Sequence, residues 1–207
     1  MLCSEKNYGL TFEQKFIKRS FDIAVSSGGL FCTWWIILFS YILASRDTDQ
    51  SGFFKQMRVG KNGKLFEVIK IRTMKPDEQI TTVVTTEKDS RITRLGHFWR
   101  KSKIDELPQL INVFKGEMSF VGPRPDVPGF ADLLTGEDRL VLSIRPGVTG
   151  PATLKYRNEE ALLSQVDDPE VYNQEVIYPD KVQINLNYVK KYSFMKDVKY
   201  IFQTVFC

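Results

Sequence analysis

The sequence has little of what metal centres and disulfide scaffolds are built from, with one histidine and three cysteines in 207 residues. His97 has no second histidine with which to share a metal ion or relay a proton. Cys3, Cys32 and Cys207 lack the spacing of zinc ligands, and an odd number cannot pair completely within one chain. These absences argue against a zinc site and favour a reducing compartment.

Signatures of the common nucleotide-binding folds are also missing. No stretch fits a Walker A loop or a Gly-x-Gly-x-x-Gly turn, so phosphate groups would be held mainly by side chains and helix termini. The net charge of +4 is well below that of a typical nucleic-acid module, and we expect no nucleic-acid partner. With 43% apolar residues the chain can bury one sizeable core, and we expect one compact unit with an anchor.

A long uncharged run predicts that anchor. Residues 23–44, IAVSSGGLFCTWWIILFSYILA, carry no charge, and about 20 apolar residues suffice for a helix to cross a hydrocarbon core. A cleaved signal peptide is not expected, because the run exceeds a normal hydrophobic region and lacks a small-x-small cleavage site. A buried helix of a soluble protein is the other alternative, but surrounding Trp34 and Trp35 would need a much larger protein.

The path of this run through a membrane has two alternatives. Basic residues flank it on both sides, with Lys18 and Arg19 before it and Arg46 after it. Positively charged flanks stay cytoplasmic, which favours a bent, re-entrant helix pair. Residues 26–29 (SSGG) offer the weak points for a bend, and Thr33 a hydroxyl for freed backbone groups. A straight span remains the alternative, since no proline enforces the break.

Beyond the anchor, short β-prone runs predict a hairpin. We expect strands near residues 53–56 and 65–72, joined by a Lys-Asn-Gly-Lys turn whose Asn-Gly pair is a strong hairpin signal. Lys70 and Arg72 lie two residues apart on the second strand and so project from the same face. A solvated strand face is the plain explanation for them. Residues 76–90 are expected to form an exposed loop.

The densest polar segment, RKSKIDELPQLINVFKGEMSFVGPRP, contains the paired carboxylates Asp105 and Glu106. Pro108 suits the first turn of a helix and Gly116 its end, which predicts a helix over residues 107–115. The carboxylates would fall at its N-terminus, where free N–H groups favour both ionised carboxylates and bound phosphate. Acidic residues at helix starts are often only caps, so both interpretations stay open. The predicted buried side of this helix comprises Leu110, Ile111, Val113 and Phe114.

Arginines in constrained loops surround this pair in the sequence. Arg100 precedes Asp105 by five residues, Arg124 lies in a Gly-Pro-Arg-Pro run, and Arg145 opens the turn RPGVTG. A guanidinium presents a fixed fork of donors that matches phosphate oxygens. Carboxylate and phosphate oxygens are also the ligands that Mg²⁺ prefers. The pattern therefore predicts a site for a phosphorylated anion with Mg²⁺.

These residues resemble the monotopic phosphoglycosyl transferases, a bacterial sugar transferase family. The matching stretches are KRSFDI, FEVIKIRTM, the block from RKSKIDELP to VGPRP, RPGVTG and YSFMKDVKYIFQT, so the resemblance runs from about Lys18 to Phe206. It implies a helix-rich α+β fold with interfacial amphipathic helices. A re-entrant membrane helix would occupy residues 1–45, and a small catalytic domain residues 46–207.

The resemblance also implies a reaction. Asp105 would attack the β-phosphorus of a UDP-sugar, release UMP and pass the phosphosugar to polyprenyl (undecaprenyl) phosphate, with Glu106 as the Mg²⁺ ligand. This step would initiate glycoconjugate or exopolysaccharide assembly at the cytoplasmic face of the bacterial inner membrane. The oligomeric state is left open, a homodimer included. The residues expected to bind the substrate are Lys70, Arg72, Arg100, Arg124, Arg145, Thr149 and Arg157.

The chain departs from the family in two places. The family's membrane helix breaks at a Ser-Pro pair, whereas the corresponding place near Thr33, Trp34 and Trp35 has no proline. The stretch GPATLKYRNEE after the Arg-Pro-Gly turn also differs, which affects the expected sugar pocket.

Three further alternatives remain open. An apolar stripe near residue 200 fits either core packing or an interfacial helix; it comprises Phe194, Val198, Ile201, Phe202 and Val205. A non-catalytic membrane-surface adaptor that binds anionic lipid is a different class of function. A peripheral glycosyltransferase that releases UDP instead of UMP is another.

Overall fold

The computed structural model describes residues 9–76 and 89–206. Most of the loop predicted at residues 76–90 lies outside the described residues, as do Cys3 and Cys207. The chain begins with helix α1 (Phe12–Thr48), followed by strands β1 (Phe53–Val59) and β2 (Leu65–Ile71). The later elements are α2 (Arg94–Ser102), α3 (Gln109–Lys115), β3 (Ser119–Val121), β4 (Gly147–Thr149), α4 (Pro151–Lys155), α5 (Glu159–Leu163), α6 (Pro169–Tyr172), α7 (Tyr178–Lys190) and α8 (Phe194–Phe206).

Strands β1 and β2 form the predicted antiparallel hairpin. Phe53 pairs with Ile71 at its open end and Val59 with Leu65 near the turn. In the turn, Asn62 and Gly63 adopt φ values of 58° and 78°, in the left-handed region that Asn and Gly tolerate best. The hairpin prediction is confirmed, with β1 three residues longer than expected.

A second, parallel pair of short strands joins the two arginine-bearing turns. β3 pairs with β4, and the backbone N–H of Gly122 donates to the carbonyl of Thr149 at 2.9 Å. Gly147 donates in turn to the carbonyl of Pro123 at 2.8 Å. A side chain at Gly122 would collide with the backbone at Arg145 and Gly147. Glycine is therefore needed for the two turns to approach so closely.

Helix α1 packs one face along the rest of the protein. Near its start, Lys18 pairs with Asp197 of α8 at 2.6 Å, and Asp22 accepts hydrogen bonds from the hydroxyl of Ser119 and the N–H of Phe120. Near its end, Ala44 is fully buried in a cluster with residues of β2 and α2. Both ends of α1 thus rest on the same folded body.

The structure has one uninterrupted helix where the sequence predicted a broken pair. Residues 26–29 are helical, and the hydroxyls of Ser26 and Ser27 donate to the carbonyl of Ile23. Thr33 donates likewise to the carbonyl of Gly29 at 2.7 Å. These polar side chains are satisfied inside the helix, and no proline removes a backbone donor.

The outer face of α1 is apolar and exposed. Within the described ranges, α1 is the one helix long and apolar enough to cross a membrane. The largest exposed side chains on this face are Phe12, Phe16, Phe31, Trp34, Trp35 and Phe39.

Helix α3 differs from its prediction in both its start and its buried face. It begins at Gln109, two residues later than expected, and ends as predicted at Gly116, whose φ is 86°. Its buried residues are Gln109, Asn112 and Val113, whereas Phe114 is 48% exposed. Asn112 is buried because its amide bonds to the backbone of β2, donating to the carbonyl of Glu67 and accepting from the N–H of Ile69.

The apolar stripe of α8 divides between the two alternatives. Ile201 packs against a core cluster, and the ring of Phe194 contacts that of Phe21 at 5.4 Å. Phe202 and Val205 are 59% and 66% exposed. Phe194 and Ile201 therefore serve packing, whereas Val198, Phe202 and Val205 are exposed and suit an interfacial helix.

Candidate active site

Most of the predicted site residues line one open cavity of about 1380 Å³. Its walls come from the β1–β2 hairpin, the segment between α2 and α3, the Gly-Pro-Arg-Pro turn and helices α4, α5 and α7. Eight of the nine residues expected to act or bind there line it, namely Lys70, Arg72, Arg100, Asp105, Glu106, Arg124, Thr149 and Arg157.

Asp105 and Glu106 are held by a tight turn between two helices. Lys103 ends α2 in the left-handed region, at φ 59°, and residues Ile104–Glu106 form a 3₁₀ turn. The N–H of Glu106 donates to the carbonyl of Lys103 at 3.2 Å. The carboxylates therefore precede α3 instead of opening it, because α3 starts only at Gln109. Burial and neighbouring charged side chains, more than the dipole of this short helix, set their charge state.

Glu106 is ion-paired on one oxygen with two cations. Its Oε1 lies 3.8 Å from the Nζ of Lys70 and 3.7 Å from the Nη2 of Arg124. Burial alone would raise the pKa of Glu106, but the charges of Lys70 and Arg124 outweigh it and hold the pKa below its usual value. Glu106 is thus a carboxylate at neutral pH.

Asp105 is more deeply buried and less well paired. It is 8% exposed, and its Oδ1 has no hydrogen-bond partner. Burial and then the charge of Glu106 raise its pKa to about 6, against the opposing charge of Lys70. A buried acceptor without a partner is rare in folded proteins. A shifted acid in a cleft with a named charge partner is typical of a functional site.

The two predicted cations at the end of β2 have different surroundings, Lys70 within the strand and Arg72 directly after it. Burial lowers the pKa of Lys70 to about 8, so its ammonium still carries most of its charge at neutral pH. Arg72 lines the cavity, but its Nε donates to the carbonyl of Ser51 at 2.8 Å and its guanidinium lies over the ring of Phe54. Lys70 is therefore the cation of β2 that faces the carboxylates directly.

The remaining predicted residues are spread more widely. Arg100 and Arg157 line the cavity, and the buried Thr149 places its hydroxyl 2.6 Å from that of Thr204 on α8. Arg145 lies elsewhere: its Nε donates to the carbonyl of Gly116 at 2.7 Å, at the C-terminal end of α3. The structure does not bring Arg145 to the carboxylates.

Asp105 and Glu106 suit a magnesium ion whose remaining ligands are phosphate oxygens of a substrate and water. Within residues 9–76 and 89–206, no group of three His, Cys, Asp or Glu side chains is placed to hold a metal ion by itself. Mg²⁺ commonly binds one or two protein carboxylates and completes its shell with phosphate and water oxygens. The unpartnered Oδ1 of Asp105 and the carboxylate of Glu106 suit that mode.

A second polar group in the cavity escaped the sequence analysis. Asp126 follows Arg124 by two residues, and burial raises the pKa of its carboxyl to about 6. Helix α7 adds Tyr178, Lys181 and Asn185 to the wall. Their spacing of three and four residues was the available signal, but it also fits an ordinary solvated helix face.

Comparison with known proteins identifies the family of this chain. Residues 13–207 match the sequence profile of the family described as bacterial sugar transferase. The uncharacterized sugar transferase EpsL of Bacillus subtilis is 35% identical over 189 residues, which is 91% of this chain and 85% of that protein. The matched region includes the anchor helix as well as the cavity.

Two further relatives have names that specify a reaction. A putative undecaprenyl-phosphate N-acetylgalactosaminyl 1-phosphate transferase of Bacillus subtilis is 43% identical over 122 residues, covering 58% of this chain and 68% of that protein. The UDP-N-acetylgalactosamine-undecaprenyl-phosphate N-acetylgalactosaminephosphotransferase of Aeromonas hydrophila is 33% identical over 196 residues. That match covers 92% of this chain and 43% of the relative, so the chain spans less than half of that protein.

Proposed function

The chain belongs to the bacterial sugar transferase family, and from that premise we propose that it transfers a sugar 1-phosphate from a UDP-sugar to undecaprenyl phosphate, releasing UMP. The observation that carries the proposal is the buried Asp105, with an unpartnered oxygen, beside the ion-paired Glu106 in a cavity lined by basic side chains. The names of two relatives support undecaprenyl phosphate as the acceptor.

Asp105 is the proposed nucleophile of a two-step reaction. Its carboxylate oxygen attacks the β-phosphorus of the donor, and the bond from that phosphorus to the oxygen bridging the two phosphates breaks. UMP leaves with the bridging oxygen and its electron pair, and the phosphosugar stays on Asp105 as an acyl phosphate. An oxygen of undecaprenyl phosphate then attacks the same phosphorus, and Asp105 leaves as a carboxylate. Such covalent catalysis splits one difficult transfer into two easier ones.

The surrounding side chains bind and orient the phosphates. Glu106 would hold Mg²⁺, which when bound supplies positive charge that polarises the phosphoryl oxygens. Lys70 and Arg124, both beside Glu106, bind phosphate oxygens and stabilise negative charge on the transferring group and on the leaving UMP. Arg100 and Arg157 add donors at the cavity wall. The burial of Asp105 keeps water away from the acyl phosphate.

The proposed location is the cytoplasmic face of the bacterial inner membrane. The apolar outer face of α1 and the exposed end of α8 together offer a surface for lipid. Because both ends of α1 contact the same body and both flanks are basic, we propose that both ends of α1 lie on the same side of the membrane, with its apolar outer face in contact with lipid. The undecaprenyl acceptor would then reach the cavity from the lipid surface.

The decisive experiment incubates the protein with Mg²⁺, undecaprenyl phosphate and a panel of UDP-sugars, and measures UMP and UDP separately. We expect UMP, and a loss of rate of about a thousandfold or more in Asp105→Asn. Asp167→Asn, a change of the same kind at an exposed position outside the cavity, is the matched control and should keep full activity. Intact-protein mass should show a phosphosugar adduct on the parent when the acceptor is omitted.

Each alternative has its own outcome in this experiment. Release of UDP would support a peripheral glycosyltransferase. Normal UMP release by Asp105→Asn, without any adduct on the parent, would overturn the covalent mechanism. A membrane-surface adaptor would consume no donor, and its vesicle binding would survive loss of Asp105 and Glu106; the relatives, which are named as transferases, do not favour it.

A further inference from the structure

Part of the cavity wall has no task in the proposed reaction. Tyr178, Lys181 and Asn185 lie on one face of α7 and line the cavity, and Asp126 lines it from the segment after the Gly-Pro-Arg-Pro turn. Lys181 and Asp126 interact electrostatically, since the positive charge of Lys181 opposes the effect of burial on the pKa of Asp126. We call these four residues the α7 polar wall.

Two atoms of the α7 polar wall are buried without a partner. The hydroxyl of Tyr178 and the Oδ1 of Asn185 make no hydrogen bond within the protein. Asn185 is 8% exposed, so bulk water has little access to its side chain. Buried polar atoms of this kind are few in folded proteins, and each calls for a ligand or an ordered water. Because the cavity has room for a ligand, these two atoms are available to hydrogen-bond with one.

The local backbone places Tyr178 in an unusual way. It directly follows a π-helical turn, Asn173–Ile177, that separates α6 from α7. Such turns are rare and occur frequently at functional sites, because the inserted residue rotates the side chains that follow. The ring of Tyr178 is fixed by an edge-to-face contact with Phe130 at 5.3 Å.

The charge of the α7 polar wall differs from that of the phosphate end. Lys181 is neutralised by Glu159, whose two oxygens both accept from its Nζ at 2.7 Å. Asp126 and Asn185 supply acceptors, and Tyr178 supplies a hydroxyl. Lys70, Arg100 and Arg124 make the other end of the cavity cationic. The cavity therefore has one end suited to a diphosphate and one suited to an uncharged group rich in hydroxyls.

The two ends are adjacent along the chain. Arg124 contacts Glu106 at 3.7 Å, and Asp126 comes two residues later, so their Cα atoms are at most about 7 Å apart. A sugar ring joined directly to the β-phosphate would occupy that position.

We propose that Tyr178, Asn185 and Asp126 form the subsite for the sugar ring of the donor and hydrogen-bond the hydroxyl or acetamido groups of a neutral hexopyranose. The identity of the donor as a nucleotide sugar rests on the proposed function. Sugars with a carboxylate are disfavoured, because Asp126 repels a further negative charge and Lys181 is already paired with Glu159. Lys181 positions the wall through its ion pair with Glu159.

Binding measured without turnover tests the subsite. In full-length Asp105→Asn protein with Mg²⁺, calorimetric titration compares UDP with UDP-glucose, UDP-galactose and their N-acetylhexosamine counterparts. We expect at least one donor to bind more tightly than UDP, and Tyr178→Phe or Asn185→Ala to weaken that donor about tenfold while changing UDP by less than about twofold. Tyr172→Phe, at a tyrosine of α6 outside the cavity, is the matched control and should change neither ligand.

The outcomes separate the subsite from the reaction. The subsite is overturned if no donor binds more tightly than UDP, if the variants weaken UDP and donor alike, or if they weaken neither. Turnover by the parent protein tests the reaction independently. In one combination of results, the parent protein releases no UMP while a donor still binds more tightly than UDP and Tyr178→Phe removes that difference. This combination would overturn the proposed reaction and support the subsite.

Discussion

Asp126 illustrates how a single buried acid in this cavity depends on its surroundings. Burial raises its pKa to about 6, and the charges of Lys181, Arg58 and Arg124 offset burial only in part. An acid whose pKa is raised on folding lowers stability above that pKa, since the folded state must hold a charge that the unfolded chain exposes to water. The penalty grows as the pH rises from the unfolded value of 3.8 and is complete above about 6.

Asp126→Asn should therefore stabilise the protein at neutral pH and much less in acid. We expect the free energy of unfolding to rise by on the order of 2 kcal/mol near pH 7.5, and most of this gain to vanish near pH 4. Thermal unfolding of parent and variant at both pH values measures it. Asp167→Asn removes an exposed charge outside any helix and serves as control. An equal gain at both pH values would contradict the burial argument.

At the scale of elements, α1 and α8 are joined by a buried ion pair. The Nζ of Lys18 lies 2.6 Å from Asp197, and their side chains are 9% and 3% exposed. The carboxylate of Asp197 also accepts from the hydroxyls of Tyr188 at 2.6 Å and Tyr192 at 3.3 Å. Removing one partner of such a pair costs more than the pair contributes, because the other charge stays buried.

Lys18→Met should consequently loosen both helices. We expect a loss of on the order of 3 kcal/mol in the free energy of unfolding, with Asp197 left as an uncompensated charge. Lys15→Met, at an exposed position one turn earlier, should cost less than about 0.5 kcal/mol. Denaturant unfolding compares the two. The double variant Lys18→Met/Asp197→Asn should lose less than the sum of its single changes, and strict additivity would show that the pair is not coupled.

The elements that could be predicted from the sequence are those set by local chemistry. The Asn62-Gly63 turn and the stop at Gly116 depend on backbone angles that these residues favour. The start of α3 could not be predicted, because Lys103 enters the left-handed region that usually selects Gly or Asn. Asn112 was missed as a buried residue because its partners, Glu67 and Ile69, lie more than 40 residues earlier.

The candidate site divides in the same way. Asp105, Glu106 and Arg124 stand in motifs whose residue types match a phosphate site, and the structure brings them together. Arg145 has the same kind of motif, but its turn packs against the C-terminal end of α3. The residues of the α7 polar wall were missed because polar spacing on a helix does not reveal what the helix faces. Only the tertiary packing places that face on a cavity.

At the scale of the whole molecule, the proposed orientation at a membrane rests on the apolar surfaces and the basic flanks. Helix α1 holds the body near Lys18 and again near Ala44, while large apolar side chains cover its opposite face. A helix that simply crossed a bilayer would place its two ends on opposite sides. The contacts at both ends favour one shared side.

Labelling of the two ends of α1 tests this arrangement. In protein whose cysteines are replaced by serine, Glu13→Cys or Asp49→Cys, both at exposed positions, is treated with a membrane-impermeant maleimide in oriented vesicles. We expect both positions to react from the cytoplasmic side, because positively charged flanks stay there. Reaction of the two positions from opposite sides would establish a straight span and overturn the re-entrant path.

The pairing of Lys18 with Asp197 also has a consequence for biosynthesis. The two residues are 179 positions apart, and Asp22 finds Ser119 only 97 positions later. A ribosome therefore releases the first turns of α1 long before the partners of Lys18 and Asp22 are made, and in the proposed arrangement the helix reaches the lipid while these two side chains are still hydrated. Contacts of such long sequence separation form late. In the proposed membrane arrangement α1 is therefore bound to lipid before the body has folded, and its ion pair with α8 forms only after the other described elements have been made.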